Sequence, residues 1–193
     1  MTEPRLDLLR HGEPEGGTRF RGTLDDPLSP LGWEQMRRAT AGAGDWTRVI
    51  SSPSRRCLAF ARELAETHAI ALAECAALRE RDFGDWEGLA PDQIPSQALQ
   101  AFWDDPVGYA PPGAEPFPDF RARVLGAWGD LLRASEAQTL VVTHGGVIRV
   151  LLAEVLRMAD EALLSLEVPH ACLSRLRLYP PPGRASLVFH GTL

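Results

Sequence analysis

The chain alternates between short apolar runs and longer segments in which apolar residues recur every three or four positions. Residues 5–9 (RLDLL) and 139–143 (TLVVT) have the length and apolar content of buried strands, and 47–51 (TRVIS) is a shorter run with β-branched residues. Residues 117–134 place apolar side chains on one helical face. This alternation predicts an α/β fold, a three-layer α/β/α sandwich around a mostly parallel central sheet.

Capping signals predict the bounds of the helices. Ser29 followed by Pro30 predicts a helix over 31–41, and Ser52 as N-cap, followed by Pro53, predicts a second helix to about Thr67. Similar patterns predict a strand over 68–73, helices over 96–103, 147–156 and 159–164, and a closing hairpin of 173–178 and 186–190 joined by 180–183. Residues 89–116, rich in proline and aromatic side chains, predict an insertion that forms a lid or substrate wall.

Composition and charge narrow the class of protein. With 193 residues, 45% hydrophobic and 24% charged, the chain has the makeup of one globular domain. A net charge of -6 argues against nucleic-acid binding, and no apolar run is long enough for a membrane span. All 20 basic residues are arginine, which excludes the lysine-dependent P-loop and pyridoxal-phosphate classes. The absence of a secretory signal, and three cysteines that read as buried thiols (Cys57, Cys75, Cys172), lead us to expect a cytoplasmic protein.

Two predicted strands end in a histidine that precedes a glycine. Arg10 and His11 follow the first strand, and His144 follows residues 139–143. If both strands are central and parallel, the two histidines meet at the carboxyl edge of the sheet, where open α/β folds bind ligands. Each motif alone is weak, and an ordinary surface loop is the alternative.

These residue types suit phosphoryl transfer. Histidine can act as a nucleophile toward phosphorus, and the planar fork of arginine matches phosphate oxygens. Arg10 is one candidate ligand, and Arg55 or Arg56 is another, because a cation in the first turn of a helix suggests a nearby anion. Glu80 is the candidate acid that protonates a leaving alkoxide.

Five motifs, in order, resemble the histidine phosphatase superfamily, the group that includes phosphoglycerate mutase. They are 9–13 (LRHGE), 26–32 (DPLSPLG) with Gln35, 51–57 (SSPSRRC), 78–80 (LRE) with 83–88 (FGDWEG), and 142–146 (VTHGG). The third motif points to Arg56 over Arg55. The resemblance covers almost the whole chain and implies a phosphoglycerate mutase-like fold.

The resemblance also implies roles. His11 is implied to be the phosphorylated nucleophile, and Glu80 the proton donor that returns as a base when water attacks. The implied phosphate pocket consists of Arg10, Arg56, His144 and the backbone N–H of Gly145. The family needs no metal or organic cofactor, so we expect none here. The expected partner is a small phosphorylated metabolite, and a homodimer is left open.

The chain departs from the family pattern after the nucleophile. Members often carry a phosphate-binding Asn six residues after the histidine, but this chain has Gly17 there and contains no Asn. Thr23, Thr18 or the backbone amides of Gly16 and Gly17 are candidate replacements. The usual Gly-Gly-Glu-Ser appears as GAEP at 113–116, which leaves the role of its glutamate open. Arg19 and Arg21 either line an anion pocket or are solvated, and the acids near Glu80 are expected to be mostly solvated.

The short chain favours a phosphatase over a mutase, since phosphoglycerate mutases carry longer insertions. FGDWEG, Phe102-Trp103 and 158–163 followed by Val168 resemble alpha-ribazole phosphatases, which remove phosphate from alpha-ribazole 5'-phosphate in cobalamin biosynthesis. A broad-specificity phosphatase and a phosphoglycerate mutase are alternatives on the same scaffold. An inactive protein that binds phosphorylated ligands and a metal-dependent phosphatase are alternatives of other classes.

Overall fold

The computed structural model describes residues 4–133, 138–179 and 184–192, and within them six strands form one sheet in the order β3-β2-β4-β1-β5-β6. The strands are β1 (Arg5–Arg10), β2 (Arg48–Ser51), β3 (Ala71–Glu74), β4 (Thr139–Thr143), β5 (Leu173–Arg177) and β6 (Ser186–Gly191). The four strands β3, β2, β4 and β1 run parallel to one another. β5 is antiparallel to β1, and β6 is antiparallel to β5. The predicted mostly parallel sheet is confirmed.

Helices cover both faces of this sheet. The α-helices of the chain's described part are α1 (Pro30–Thr40), α2 (Arg55–His68), α3 (Ser96–Asp104), α4 (Phe117–Arg133) and α5 (Gly145–Leu156), with a 3₁₀ helix at Asp160–Ser165. All of them except α3 contribute to the two cores on the sheet. Residues of α1 and α2 share one hydrophobic core with one face of the sheet, and residues of α4 and α5 share a second core with the other face. The three-layer prediction is therefore confirmed.

The two central strands feed both cores. Leu8 of β1 and Val141 of β4 face α4 and α5, whereas Leu9 and Val142 face α1 and α2, and all four side chains are completely buried. Successive side chains of a strand point to opposite faces, so a central strand covered on both sides is mostly apolar. This requirement explains the apolar runs in the sequence. The exception in β1 is the buried Asp7, whose carboxylate accepts hydrogen bonds from Trp46 and Arg175.

The predicted helix starts are correct for α1 and wrong for α2. Ser29 caps α1, since its hydroxyl accepts a hydrogen bond from the Gly32 backbone N–H at 3.0 Å. Ser54, not Ser52, is the N-cap of α2. Ser52 still belongs to the sheet edge, because its backbone N–H donates to the Val142 carbonyl at 2.9 Å, and the helix can begin only beyond it.

Other boundaries differ by a few residues. α2 continues to His68 and ends where Ala69 adopts a left-handed conformation (φ 52°), so β3 begins at Ala71 rather than at His68. α5 already begins at Gly145. Both predicted hairpin strands are present as β5 and β6, but their connection at 180–183 and the predicted last helical residue 134 lie outside the described residues.

The segment at 89–116 folds against the loops around the sheet edge. Ile94 and Phe102 pack with Trp86 in a third, small hydrophobic cluster. Cys57 and Cys172 are buried thiols as expected, whereas Cys75 is partly exposed. No helix in the described part of the chain combines the length and the apolar character that a membrane crossing requires.

Candidate active site

The pairing of β1 with β4 brings the two predicted histidines together. Arg10 is in register with Thr143, and the His11 backbone N–H donates to the Thr143 carbonyl at 2.9 Å. The chain leaves both strands at the same edge of the sheet, and the His11 and His144 ring centroids lie 5.2 Å apart at 65°. The sequence prediction that both imidazoles share one site is therefore met by the geometry.

His11 has a defined tautomer. Its Nδ1 lies 2.8 Å from the Gly12 carbonyl oxygen, which can only accept, so Nδ1 carries the proton. Burial, followed by the positive charges of Arg10 and Arg56, lowers the pKa of His11 well below 6.5. The ring is neutral at pH 7, and its Nε2 retains a free lone pair.

Arg10 and Arg56 are cations with unsatisfied donors. Arg10 Nη1 donates to the Val168 carbonyl at 2.6 Å, and Arg56, which is completely buried, donates to the carbonyls of Leu24 at 2.7 Å and Gly22 at 2.9 Å. The Nε atoms of both arginines are buried and have no hydrogen-bond partner within the residues covered by the structure. Buried donors of this kind call for an explanation, and an anion that binds next to both guanidinium groups supplies one.

His144 is fixed from behind by residues of the 51–57 motif. Its Nε2 is 2.8 Å from the Ser52 hydroxyl and 3.7 Å from Cys57 Sγ, and the ring is completely buried. Burial and the nearby Arg56 lower the pKa of His144 well below 6.5. Burial also raises the pKa of the Cys57 thiol to about 12, so this sulfur stays protonated and acts as a packing neighbour.

Glu80 lies at the mouth of the same site. Its Oε2 accepts a hydrogen bond from the Gly146 backbone N–H at 2.9 Å, and its Oε1 accepts one from the Arg81 backbone N–H at 3.0 Å. Glu80, Arg10 and His11 line one cavity of about 180 Å³. A carboxyl group and a neutral imidazole that face one cavity can serve as general acid, once the carboxyl group carries a proton, and as nucleophile.

Glu115, whose role the sequence left open, supports the loop that carries Glu80. Both of its oxygens bind the Arg123 guanidinium, at 2.7 and 2.8 Å, and Arg123 also donates to the carbonyls of Arg79 and Glu80. Sequence reasoning missed Arg123, which only looks like one more polar residue on helix α4. Arg123 positions the loop that carries Glu80.

Glu87 corrects the expectation that the acids near Glu80 are mostly solvated. Its carboxylate accepts backbone hydrogen bonds from Gly22, Thr23, Leu24 and Phe83 at 2.9–3.0 Å. Glu87 thereby connects the loop at 22–24, whose carbonyls accept hydrogen bonds from Arg56, to the loop that carries Glu80. One carboxylate that satisfies four N–H groups fixes both loops relative to each other.

Of the two further residues predicted to contact phosphate, Gly145 lies beside Arg10, whereas Thr23 lies outside the cavity. Gly145 is buried in the first turn of α5, and a Cβ built on it lies 3.4 Å from Arg10 Nε and 3.3 Å from Arg149 Nη1. Thr23 is exposed and does not line the cavity, and the structure gives it only the contact of its backbone with Glu87. Arg19 and Arg21, by contrast, do line the cavity.

His170 is a cavity residue that sequence reasoning missed. Its ring centroid lies 5.7 Å from that of His11, and burial, with the charge of Arg10, lowers its pKa to about 4. The Ala171 backbone N–H donates to the His11 carbonyl at 3.2 Å, because β5 runs antiparallel to β1 and begins where β1 ends. The sequence signal is weak: His170 lies three residues before the predicted strand that begins at Leu173, and the pairing of that strand with β1 was not predicted.

The site as a whole can bind and transfer a phosphoryl group. His11, Arg10 and Glu80 line the cavity, whereas Arg56 and His144 are completely buried and are not among its lining residues. His144 still lies 5.2 Å from His11 between ring centroids, and the charge of Arg56 acts on both imidazoles. Within the described ranges, no group of three or more His, Cys, Asp or Glu side chains is arranged to hold a metal ion.

Known proteins resemble the chain over nearly all of its length. The model of the histidine phosphatase superfamily (branch 1) matches residues 6–189. A glucosyl-3-phosphoglycerate phosphatase of Mycobacterium tuberculosis is 33% identical over 174 residues, 82% of this chain and 78% of that protein. A 2,3-bisphosphoglycerate-dependent phosphoglycerate mutase of Rhizobium etli is 33% identical over 191 residues, 90% of each chain. The chain spans about half (51%) of the length of a bifunctional protein of M. tuberculosis, to which it is 34% identical over 188 residues, 92% of this chain.

Solved structures share the fold. The native structure of the mycobacterial glucosyl-3-phosphoglycerate phosphatase superposes with a TM-score of 0.86 at 27% identity and covers 100% of both chains. The alpha-ribazole phosphatase from Shigella flexneri superposes with a TM-score of 0.85 at 26% identity and covers 97% of this chain and 96% of that one.

Proposed function

Because the chain belongs to the histidine phosphatase superfamily, we propose that it is a phosphomonoesterase that acts through a phosphohistidine at His11 on a small phosphorylated metabolite. The observation that carries the proposal is the state of His11. A neutral ring with Nδ1 bound to the Gly12 carbonyl keeps its Nε2 lone pair available beside two buried arginines.

The reaction has two steps. The Nε2 of His11 attacks phosphorus, the bond between phosphorus and the ester oxygen breaks, and Glu80 gives its proton to the leaving alkoxide. A water then attacks the phosphohistidine, the carboxylate of Glu80 takes the proton of this water, and the P–N bond breaks. Inorganic phosphate leaves, and both His11 and Glu80 return to their starting states.

The cationic groups stabilise the transferred phosphoryl group. Its oxygens stay charged throughout, so the principal requirement is fixed positive charge and hydrogen-bond donors. Arg10 and Arg56 supply the charge, with a free Nε–H on each, and His144 together with the first turn of α5 at Gly145 completes the enclosure. Buried groups are pre-arranged and do not reorganise during transfer.

The test is hydrolysis of 4-nitrophenyl phosphate with and without a metal chelator. We expect turnover that the chelator leaves unchanged, loss of turnover in His11→Ala, and a radiolabelled phosphoenzyme that survives an alkaline quench in the wild-type chain. Absence of both turnover and labelling favours an inactive protein that binds phosphorylated ligands, and inhibition by the chelator favours a metal-dependent phosphatase.

Glu80 has a test of its own. Glu80→Gln should slow release of an alkyl alcohol by about 10²–10³-fold, because general acid catalysis contributes on this scale, whereas release of nitrophenolate needs no proton. Equal slowing of both substrates counts against Glu80 as the acid.

The finer substrate assignment is alpha-ribazole 5'-phosphate, which the FGDWEG and Phe102-Trp103 resemblance supports. The names of the similar proteins add glucosyl-3-phosphoglycerate as a second candidate and phosphoglycerate mutase as an alternative activity. Release of free phosphate from each phosphorylated candidate ranks the phosphatase substrates. Isomerisation of 3-phosphoglycerate in the presence of a bisphosphate primer, without phosphate release, establishes the mutase.

A further inference from the structure

A second cavity, which we call the aromatic cavity, lies directly beside Glu80. It has a volume of about 180 Å³, and its walls include the rings of Phe20, Phe83, Phe102 and Trp103. Apolar side chains of α4, α5 and the 3₁₀ helix at Asp160–Ser165 close the other side. The walls are therefore aromatic or aliphatic over most of their extent.

The aromatic cavity adjoins the phosphate site. Glu80, Phe20 and Phe83 line both cavities. A phosphomonoester whose phosphorus faces His11 places its ester oxygen at Glu80, the group proposed to protonate it. The rest of the alcohol then extends past Phe20 and Phe83 into the aromatic cavity.

The charged groups of the aromatic cavity are largely engaged. Arg81 donates to the carbonyls of Glu115, Pro106 and Tyr109, so its guanidinium group is held in the wall. Arg149 donates its Nε to the Leu166 carbonyl at 2.9 Å, and its Nη1 approaches Gly145 on the phosphate side. Backbone carbonyls therefore hold the Arg81 guanidinium and the Nε of Arg149 against the wall.

The aromatic walls form one packed array. Phe20 lies 5.1 Å from Phe83, 5.8 Å from Phe102 and 6.3 Å from Trp103 between ring centroids, in edge-to-face or tilted arrangements. Phe102 and Trp103 lie 5.0 Å apart. Rings at such distances attract each other and present edges and faces that suit one further ring.

We infer that the preferred substrates, within the proposed phosphatase activity, are phosphomonoesters of alcohols that carry an apolar aromatic ring close to the ester oxygen. The size fits one ring, since an apolar cavity of about 150 Å³ is known to hold benzene. Polyhydroxylated or carboxylated alcohols would lose hydrogen bonds to water against the apolar part of these walls. The inference therefore ranks glucosyl-3-phosphoglycerate below a candidate whose alcohol carries an aromatic ring.

The first test compares alkyl phosphates whose alcohols need a proton on leaving. The probes are 2-phenylethyl phosphate, glycerol 1-phosphate and 3-phosphoglycerate. We expect kcat/KM for 2-phenylethyl phosphate to exceed that for the other two by at least about tenfold, as expected for burial of one ring. Equal values, or a preference for glycerol 1-phosphate or 3-phosphoglycerate, overturn the inference and leave the phosphatase proposal standing.

The second test removes one wall. Trp103 is 47% exposed, so Trp103→Ala should fold, and we expect it to lower kcat/KM for 2-phenylethyl phosphate about 5–10-fold relative to that for glycerol 1-phosphate. Trp103→Phe should retain most of the preference. Tyr179→Ala is the matched control, because Tyr179 is 45% exposed and follows the end of β5 opposite the site. Loss of both activities in proportion contradicts the assigned contact.

A binding measurement separates this inference from the catalytic proposal. Calorimetry with 2-phenylethylphosphonate and methylphosphonate, which cannot be hydrolysed at the P–C bond, reports the aromatic cavity without turnover. Tighter binding of the phenylethyl compound, about tenfold or more, supports the aromatic cavity even if the chain proves inactive. Equal affinities for the two phosphonates overturn the inference even if the phosphatase activity is found.

Discussion

Gly146→Ala should damage the proposed acid without damaging the fold. Gly146 lies in the first turn of α5, and its backbone N–H donates to Glu80 Oε2 at 2.9 Å. A Cβ built on Gly146 would lie 2.3 Å from Glu80 Oε1, while its other nearest atoms also belong to the Glu80 carboxylate. The added methyl group therefore meets only the flexible end of one side chain.

The size of the effect follows from this distance. Ordinary van der Waals contact begins near 3.4 Å, so the Glu80 carboxylate must retreat by about 1 Å or rotate away. Misplacement of a reacting group by about 1 Å can lower a rate by about 10²-fold. Alanine is a better helix former than glycine by about 0.5–1 kcal/mol, which offsets the cost of moving a side chain. We expect kcat for an alkyl phosphate to fall about 10²-fold, and the free energy of unfolding to change by less than about 1 kcal/mol.

The assay uses two substrates and one control variant. Formation of the phosphohistidine from 2-phenylethyl phosphate needs the acid, whereas its formation from 4-nitrophenyl phosphate does not. The value of kcat/KM, which reports this first step and not the later attack of water, should therefore fall strongly only for 2-phenylethyl phosphate. Gly126→Ala is the control, because Gly126 is exposed on α4 and a Cβ there meets no atom within 4 Å. The control should gain about 0.5–1 kcal/mol in stability and keep wild-type kinetics. Unchanged turnover of the alkyl phosphate in Gly146→Ala refutes the assignment of the acid to Glu80.

Three further predictions concern charge and burial. Arg56→Lys should lower kcat/KM for 4-nitrophenyl phosphate about 10²-fold, because a lysine ammonium cannot both donate to the carbonyls of Leu24 and Gly22 and offer a further N–H to phosphate. Near-normal kinetics would contradict the role of Arg56 as a phosphate ligand. Because burial lowers the pKa of folded His11 well below 6.5, kcat/KM should begin to fall on the acid side only well below pH 6.5, after correction for the second ionisation of the substrate near 6. A fall centred at pH 6.5 would contradict the lowered pKa of His11. His11 has a lower pKa in the folded chain than in the unfolded chain, so the unfolded chain binds a proton at this residue at a higher pH. The contribution of His11 to the free energy of unfolding therefore decreases as the pH falls below 6.5. Arg175→Met should lower the free energy of unfolding by about 2 kcal/mol in urea titrations, because it removes the two Arg175 hydrogen bonds, at 2.9 and 3.0 Å, from the fully buried Asp7 carboxylate, which keeps the bond from Trp46 Nε1 at 2.9 Å and the Arg5 guanidinium at 3.4 Å. Arg37→Met, which loses an exposed ion pair, should cost less than about 1 kcal/mol.

The central part of the fold was predictable because its signals are local. β1 and β4 are covered on both faces, so their apolar runs stand out, and a histidine at the end of each must reach the same edge once the strands are parallel neighbours. The Ser29-Pro30 start of α1 also depends only on adjacent residues. His11 and His144 could therefore be paired from the sequence alone.

What escaped prediction depends on contacts between distant segments. Ser52 looks like an N-cap in isolation, but its backbone is still bonded to β4. His170 reaches the cavity only because β5 runs antiparallel to β1, a pairing that no local pattern specifies. Glu87 resembles a solvated acid until the chain folds and four backbone N–H groups converge on it.

Two buried cations with unpartnered donors favour a ligand that carries negative charge. Arg10 and Arg56 hold cations at buried positions, each with an Nε–H that lacks a partner, and one unsatisfied buried donor costs about 1–3 kcal/mol. Burial also keeps His11 and His144 neutral, so neither imidazole adds positive charge before a ligand arrives. A doubly charged phosphate ester would satisfy both donors and offset the repulsion between the guanidinium groups, whereas a neutral ligand would leave both penalties in place. The same arrangement therefore selects a phosphorylated substrate and holds it beside His11, whose Nε2 is unprotonated.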